Sequence, residues 1–177
     1  STLLMQNTAI RLLENFALQD NTIQTQLGQL LTSKVKDAPI EVSLQMALSA
    51  YALNTEDASI ILEKIISRFG ENALVRDAVM SSLGNREFDF LQKLWTSENW
   101  KTSDPSKEIF LEMLTVSIVR KRDPKELENL LTILDDSPKD SEWKQQVVLT
   151  GMAIQAANSR TKGPLALKQE PPLFKRT

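Results

Sequence analysis

Side chains able to carry catalysis are few in this chain. It has no histidine and no cysteine, which removes the usual general base, the commonest metal ligand and any thiolate nucleophile together. Carboxylates, lysines and the single tyrosine, Tyr51, remain. Glu71, Asp77, Glu87 and Asp89 fall near one predicted corner between helices. An acid–base pair there needs one carboxyl raised by burial, and the residues around it indicate no such pocket. Asp135, Asp136 and Asp140 could meet a hard cation, but the turn through Pro138 lacks the ligand spacing of a calcium loop. No catalytic, cofactor-binding or metal-binding residue is assigned, and the expectation is a protein that is not an enzyme.

Residues suited to binding are easier to find. Arg120-Lys121-Arg122 could hold an anionic group, although cations at a helix C-terminus also complement its dipole. Trp95 and Trp143 lie on apolar stripes and are expected in the core, whereas Trp100 sits in a polar loop and is the better surface anchor. The candidate partner contacts are therefore Trp100, Arg120, Lys121 and Arg122. The partner is expected to be a protein or a neighbouring domain of the same chain. With 21 basic against 23 acidic residues, no surplus exists for a phosphate-neutralising face, so nucleic acid is not expected. Five glycines leave little for phosphate-cradling loops. No apolar run approaches the roughly 18 residues a membrane span needs, so membrane insertion is not expected either. The first residues lack a signal-peptide pattern and an initiator methionine, which suggests a segment of a longer chain or a processed product.

The elements that must position these residues are all helical. Apolar residues recur at helical spacing from Leu3 to Leu18 (Leu4, Met5, Ala9, Leu12, Leu13, Phe16), and Asp20-Asn21 can cap a second helix with Ile23, Leu27, Leu30 and Leu31. Pro39 suits the first turn of a third, holding Val42, Met46, Ser49, Ala50 and Leu53. Asn54-Thr55 caps a fourth, rich in isoleucine, which Gly70 is expected to end in the left-handed region. The stretch Val75 to Glu87 puts Val75, Ala78, Val79 and Leu83 on one face, stops at Gly84 and recaps at Asn85. A sixth helix runs from about Glu87 to Thr96. Asp104-Pro105 and Asp123-Pro124 each start a further helix, the second with Glu126 in capping-box position. A ninth spans roughly Ser141 to Ala157. No strand-like alternation appears.

The stripe has a second period. Met5, Val42, Val75, Ile109 and Trp143 are separated by 37, 33, 34 and 34 residues, each followed four places on by Ala9, Met46, Val79, Met113 or Val147. A period near 34 is the signature of stacked helix pairs that cover each other's apolar faces. The expected fold is all-α: a HEAT/armadillo-like α-α superhelix, or solenoid, of about nine helices over residues 1–158. Residues 159–177, with Gly163-Pro164 and Pro171-Pro172, read as an extended strap or linker.

At Val75-Arg76-Asp77-Ala78 and through Leu83-Gly84 the chain resembles a HEAT repeat. The longer string Val75 to Glu87, with the tail Glu170-Pro171-Pro172-Leu173-Phe174, is similar to a narrower group. These are large bacterial secreted proteins that join a sugar-dehydrogenase-like β-propeller, a HEAT-type segment and a c-type cytochrome. The resemblance implies a non-catalytic spacer or docking domain between redox modules, in the periplasm or outside the cell; residue content alone leaves the cytoplasm open. An arginine one place after the stripe occurs only at Arg76, so a stacked Arg–Asp ladder is not expected. The haem-attachment motif Cys-x-x-Cys-His is absent, and any haem belongs to a neighbouring segment. The alternative is an enzyme or nucleic-acid-binding module on a HEAT-like frame, such as a DNA-glycosylase-type repeat protein, which requires a positive groove with a buried carboxylate.

Overall fold

A computed structural model of the chain describes residues 2–137, 141–158, 163 and 167. Among them are nine α-helices and no strands, so the fold is all-α. The helices are α1 (Leu3–Ala17), α2 (Asn21–Lys34), α3 (Ile40–Ser49), α4 (Thr55–Phe69), α5 (Ala73–Ser82), α6 (Glu87–Thr96), α7 (Pro105–Lys121), α8 (Pro124–Asp135) and α9 (Glu142–Asn158). Short 3-10 turns at Ala50–Ala52 and Glu98–Trp100 follow α3 and α6. No helix among the described residues is long and apolar enough to cross a membrane.

Local chemistry sets most of the boundaries. Asp20, Asn54, Asp104 and Asp123 each accept from backbone N–H groups of the first turn they precede, satisfying donors that have no helical partner. Pro105 and Pro124 then occupy the first helical position, where a missing N–H costs nothing. Two expected signals work differently. Gly70 ends α4 with φ −61°, an ordinary right-handed value, so it is not a left-handed stop. Asn85 is not the cap of α6: it follows Gly84 in the left-handed region (φ 73° after 54°), and Arg86 takes the cap position, its side chain making no capping bond to the first turn.

The chain divides into two compact units, Ser1–Asn85 and Arg86–Thr177. In the first, α1 packs on α2 and α3, α3 on α4 and α5, and α2 on α4. Its core is aliphatic: Leu27, Leu31, Val42, Met46, Ile61, Leu62, Ile65, Val75 and Val79 are buried. Gly28 lets α2 approach α4, since a Cβ there would fall 2.2 Å from Asp57 Oδ2. Between α1 and α3, Ser49 Oγ and Tyr51 OH donate to Glu14 at 2.5 and 2.8 Å. That bond, with burial and the Glu14 charge, pushes the Tyr51 hydroxyl above its ordinary pKa.

In the second unit α7 is the central helix, packed on α6, α8 and above all α9. Gly151 makes the α7–α9 approach possible: a Cβ there would lie 2.9 Å from Thr115 Cβ. Phe90 meets Phe110 edge-on at 6.2 Å, and Trp100 lies tilted on the same ring at 6.2 Å. Lys121 Nζ pairs with Glu87 at 2.6 Å and Glu126 at 3.4 Å. Burial works to lower the Lys121 pKa, but the two carboxylates outweigh it and hold the ammonium above its usual value.

Candidate partner-binding surface

The five stripe residues divide once burial is examined. Val42 and Val75 are buried, but Met5 is 61% exposed and Ile109 46% exposed, and Trp143 is half-buried. Both departures have one cause. Helix α7 carries apolar residues nearly all round, and in α1 they cover about half the circumference, wider than the face that is buried, so spacing alone cannot choose the buried face. In α7 that face is Phe110, Leu111, Leu114, Ile118 and Val119; in α1 it is Ile10 and Ala17.

The tryptophans are likewise exchanged. Trp100, expected at the surface, is 1% exposed and fills the core from its 3-10 turn. Trp95 and Trp143, expected in the core, are half-buried, with indole N–H groups donating to Ser137 Oγ at 3.1 Å and Lys101 O at 3.3 Å. In the basic triplet, Arg120 is exposed, Lys121 is committed to Glu87 and Glu126, and Arg122 closes α7 in the left-handed region, donating to Gly163 O at 3.0 Å. The triplet is therefore three separate environments rather than one cationic patch. Glu71, Asp77 and Asp89 are exposed, while Glu87 is buried in its ion pair. Pro138, Asp140 and the tail beyond Asn158, apart from Gly163 and Leu167, lie outside the described residues. No group of three or more acidic, histidine or cysteine side chains placed for a metal ion occurs among the described residues.

Lys144 is the residue that sequence reasoning missed. Its side chain is buried in α9, and Nζ donates to Trp95 O at 2.7 Å and Leu94 O at 3.5 Å. The ammonium thus meets carbonyls at the C-terminus of α6, where the helix dipole favours a cation. It also stands 5.6 and 5.8 Å from the rings of Trp95 and Trp143, within cation–π reach. The available signal was its spacing with Val148 and Gly151, which puts a lone lysine on the buried face of α9.

Between α7 and α9 this packing leaves a shallow groove of 360 Å³, lined by Pro105, Glu108, Ile109, Glu112, Trp143, Gln146, Val147 and Thr150. Ile109, Val147 and Trp143 are its apolar lining, and Glu108 with Glu112, one turn apart, add two carboxylates. On the neighbouring face of α9, Leu149 is 49% exposed. An apolar side chain flanked by a lysine or arginine has the matching chemistry. In the first unit a cavity of 430 Å³ is lined mainly by aliphatic side chains of α1, α2 and α3, including Ile10, Leu27, Leu31, Val42 and Met46. Gln6, Lys34 and Asp37 are the polar side chains in its lining.

Comparison with family models, with curated proteins and with solved structures finds no match for this chain.

Proposed function

We propose that the chain is a non-catalytic, HEAT-like interaction and spacer module whose α7–α9 groove receives a basic and apolar segment of a neighbouring domain. The carrying observation is Ile109: a large aliphatic side chain held in water beside the Glu108 and Glu112 carboxylates on a helix otherwise committed to the core. With Trp143 and Val147, Ile109 makes a contiguous apolar patch rimmed by polar groups, the kind of surface that marks an interaction site. The alternation of α1–α3–α5 contacts with α2–α4 contacts in the first unit supports the repeat reading, since stacked pairs place same-parity helices side by side.

The narrower reading is a spacer between a sugar-dehydrogenase-like propeller and a c-type cytochrome, outside the cytoplasm. Its test is the parent reading frame, which must encode a propeller on one side and Cys-x-x-Cys-His on the other. Binding is tested by titrating this chain with purified neighbouring domains while following tryptophan emission, to which Trp143 in the groove lining contributes. A micromolar affinity abolished by Ile109→Asp and weakened about tenfold by Glu112→Lys is expected. Saturable binding that ignores both substitutions overturns the groove assignment.

A further inference from the structure

The outward face of α1 has a design of its own. Met5, Leu12 and Phe16 are 61%, 59% and 56% exposed, and Ala9 is exposed between them. Their spacings of 4, 3 and 4 residues are those of the a and d positions of a heptad seam, the pattern by which one helix receives another. The flanking e and g positions are Gln6, Leu13, Thr8 and Asn15, none of them charged. The only charged residues of α1 are Arg11 and Glu14. Glu14 is turned inward, where it accepts from Ser49 and Tyr51, and Arg11 lies about a third of a turn beyond the seam.

We infer that α1 is a self-association helix, pairing antiparallel with α1 of a second copy of this chain. Two features select a second copy as the occupant. The seam carries no charge at a, d, e or g, so two identical faces meet without opposing like charges or stripping water from ions. The sequence is also self-complementary about a two-fold axis midway between Ile10 and Arg11. That axis sets Met5 against Phe16 and Ala9 against Leu12 of the other copy. Each layer then joins a large side chain to a smaller or more pliable one, and the thioether–ring contact is favourable in itself. An isologous two-fold contact of this kind closes on itself and stops at a dimer. Four seam residues cover a smaller area than the about 800 Å² per partner of a standard interface, so a weak, reversible dimer is expected.

Sedimentation equilibrium of the whole chain between 1 and 200 μM provides the test. A monomer–dimer equilibrium is expected, with the dimer weakened at least tenfold by Leu12→Glu and by Phe16→Glu while circular dichroism remains that of the folded chain. Because the chain has no cysteine, orientation can be read by cross-linking. Chains carrying Ala9→Cys and Leu12→Cys, mixed and oxidised, should join to one another in preference to forming either like pair. A chain monomeric at 200 μM, or a dimer indifferent to both glutamates, overturns the proposal. Preferential joining of Ala9→Cys to itself overturns the antiparallel register. The inference rests on α1 alone, so its failure leaves the α7–α9 groove untouched.

Discussion

The two units fill their interiors with different side chains. In residues 1–85 no aromatic ring is buried: Phe16 and Tyr51 are exposed, Phe69 half-buried, and the core consists of leucine, isoleucine, valine, methionine and alanine. In the second unit Phe88, Phe90, Trp100 and Phe110 are all buried. The connection explains part of the contrast. A chain that passes from α3 to α4 through a tight 3-10 turn needs little more than Ala50, Ala52 and Leu53, all buried. The longer path from α6 to α7 is anchored by an indole set on the Phe90–Phe110 pair. Charge is handled differently as well. The first unit satisfies Glu14 with neutral hydroxyls, whereas the second neutralises Glu87 with Lys121.

The contrast is broken most forcefully at Trp100. Trp100→Ala should cost about 3–5 kcal/mol in urea unfolding, as for large aromatic truncations in a core. A surface anchor would lose no more than about 0.5 kcal/mol. Met46→Ala in the aliphatic unit should cost about 2–5 kcal/mol by the same mechanism.

The two close-approach glycines sharpen the comparison. Alanine gains about 1 kcal/mol over glycine within a helix. At Gly151 the obstacle is the β-branched Thr115 side chain at 2.9 Å and the Glu112 carbonyl at 3.3 Å, so Gly151→Ala should still destabilise by about 1–3 kcal/mol. At Gly28 a new Cβ would meet Asp57 Oδ2 at 2.2 Å, Cγ at 2.8 Å and Cβ at 3.0 Å, and turning the carboxylate away gives up its bond from Asn54 Nδ2 without moving the Asp57 Cβ. Gly28→Ala should therefore also destabilise by about 1–3 kcal/mol, and a neutral result at either site would show that its helix pair can move apart.

Alkaline pH probes both polar clusters. Tyr51 and Lys121 have folded pKa values above their ordinary ones, so each favours folding fully below its unfolded value, near 10.0 and 10.5 respectively. That contribution is lost as pH rises through the raised folded value. Unfolding midpoints should hold up to pH 10.0 and fall above it, with Tyr51→Phe and Lys121→Met each flattening part of the decline. The smallest effect is expected at Arg120→Ala, an exposed site, within about 0.5 kcal/mol. Thermal melts would detect anything larger.

What the sequence made legible follows from range. Caps at Asp20, Asn54, Asp104 and Asp123 act on the next two or three residues, so their chemistry is complete in a short string. The α8 stripe of Leu127, Leu130, Leu131 and Leu134 has polar neighbours to contrast with, and all four are buried. Helix α7 offers no such contrast and the apolar side of α1 is wider than the face it buries, so which residues are covered there depends on distant segments. Trp100 misled for a related reason: its polar neighbours in sequence are not its neighbours in space. The α7–α9 groove and the Lys144 contact with the end of α6 join residues some 34–50 positions apart, beyond any local pattern.

The distribution of indoles has a practical consequence. All three tryptophans lie between Trp95 and Trp143, so intrinsic emission excited at long wavelength reports on the C-terminal half of the molecule and is blind to the N-terminal half. There the only optical reporter beyond phenylalanine is the phenol of Tyr51. Melting curves recorded by fluorescence and by far-ultraviolet dichroism will coincide only if the halves melt together, and a gap between them measures how independently each one holds.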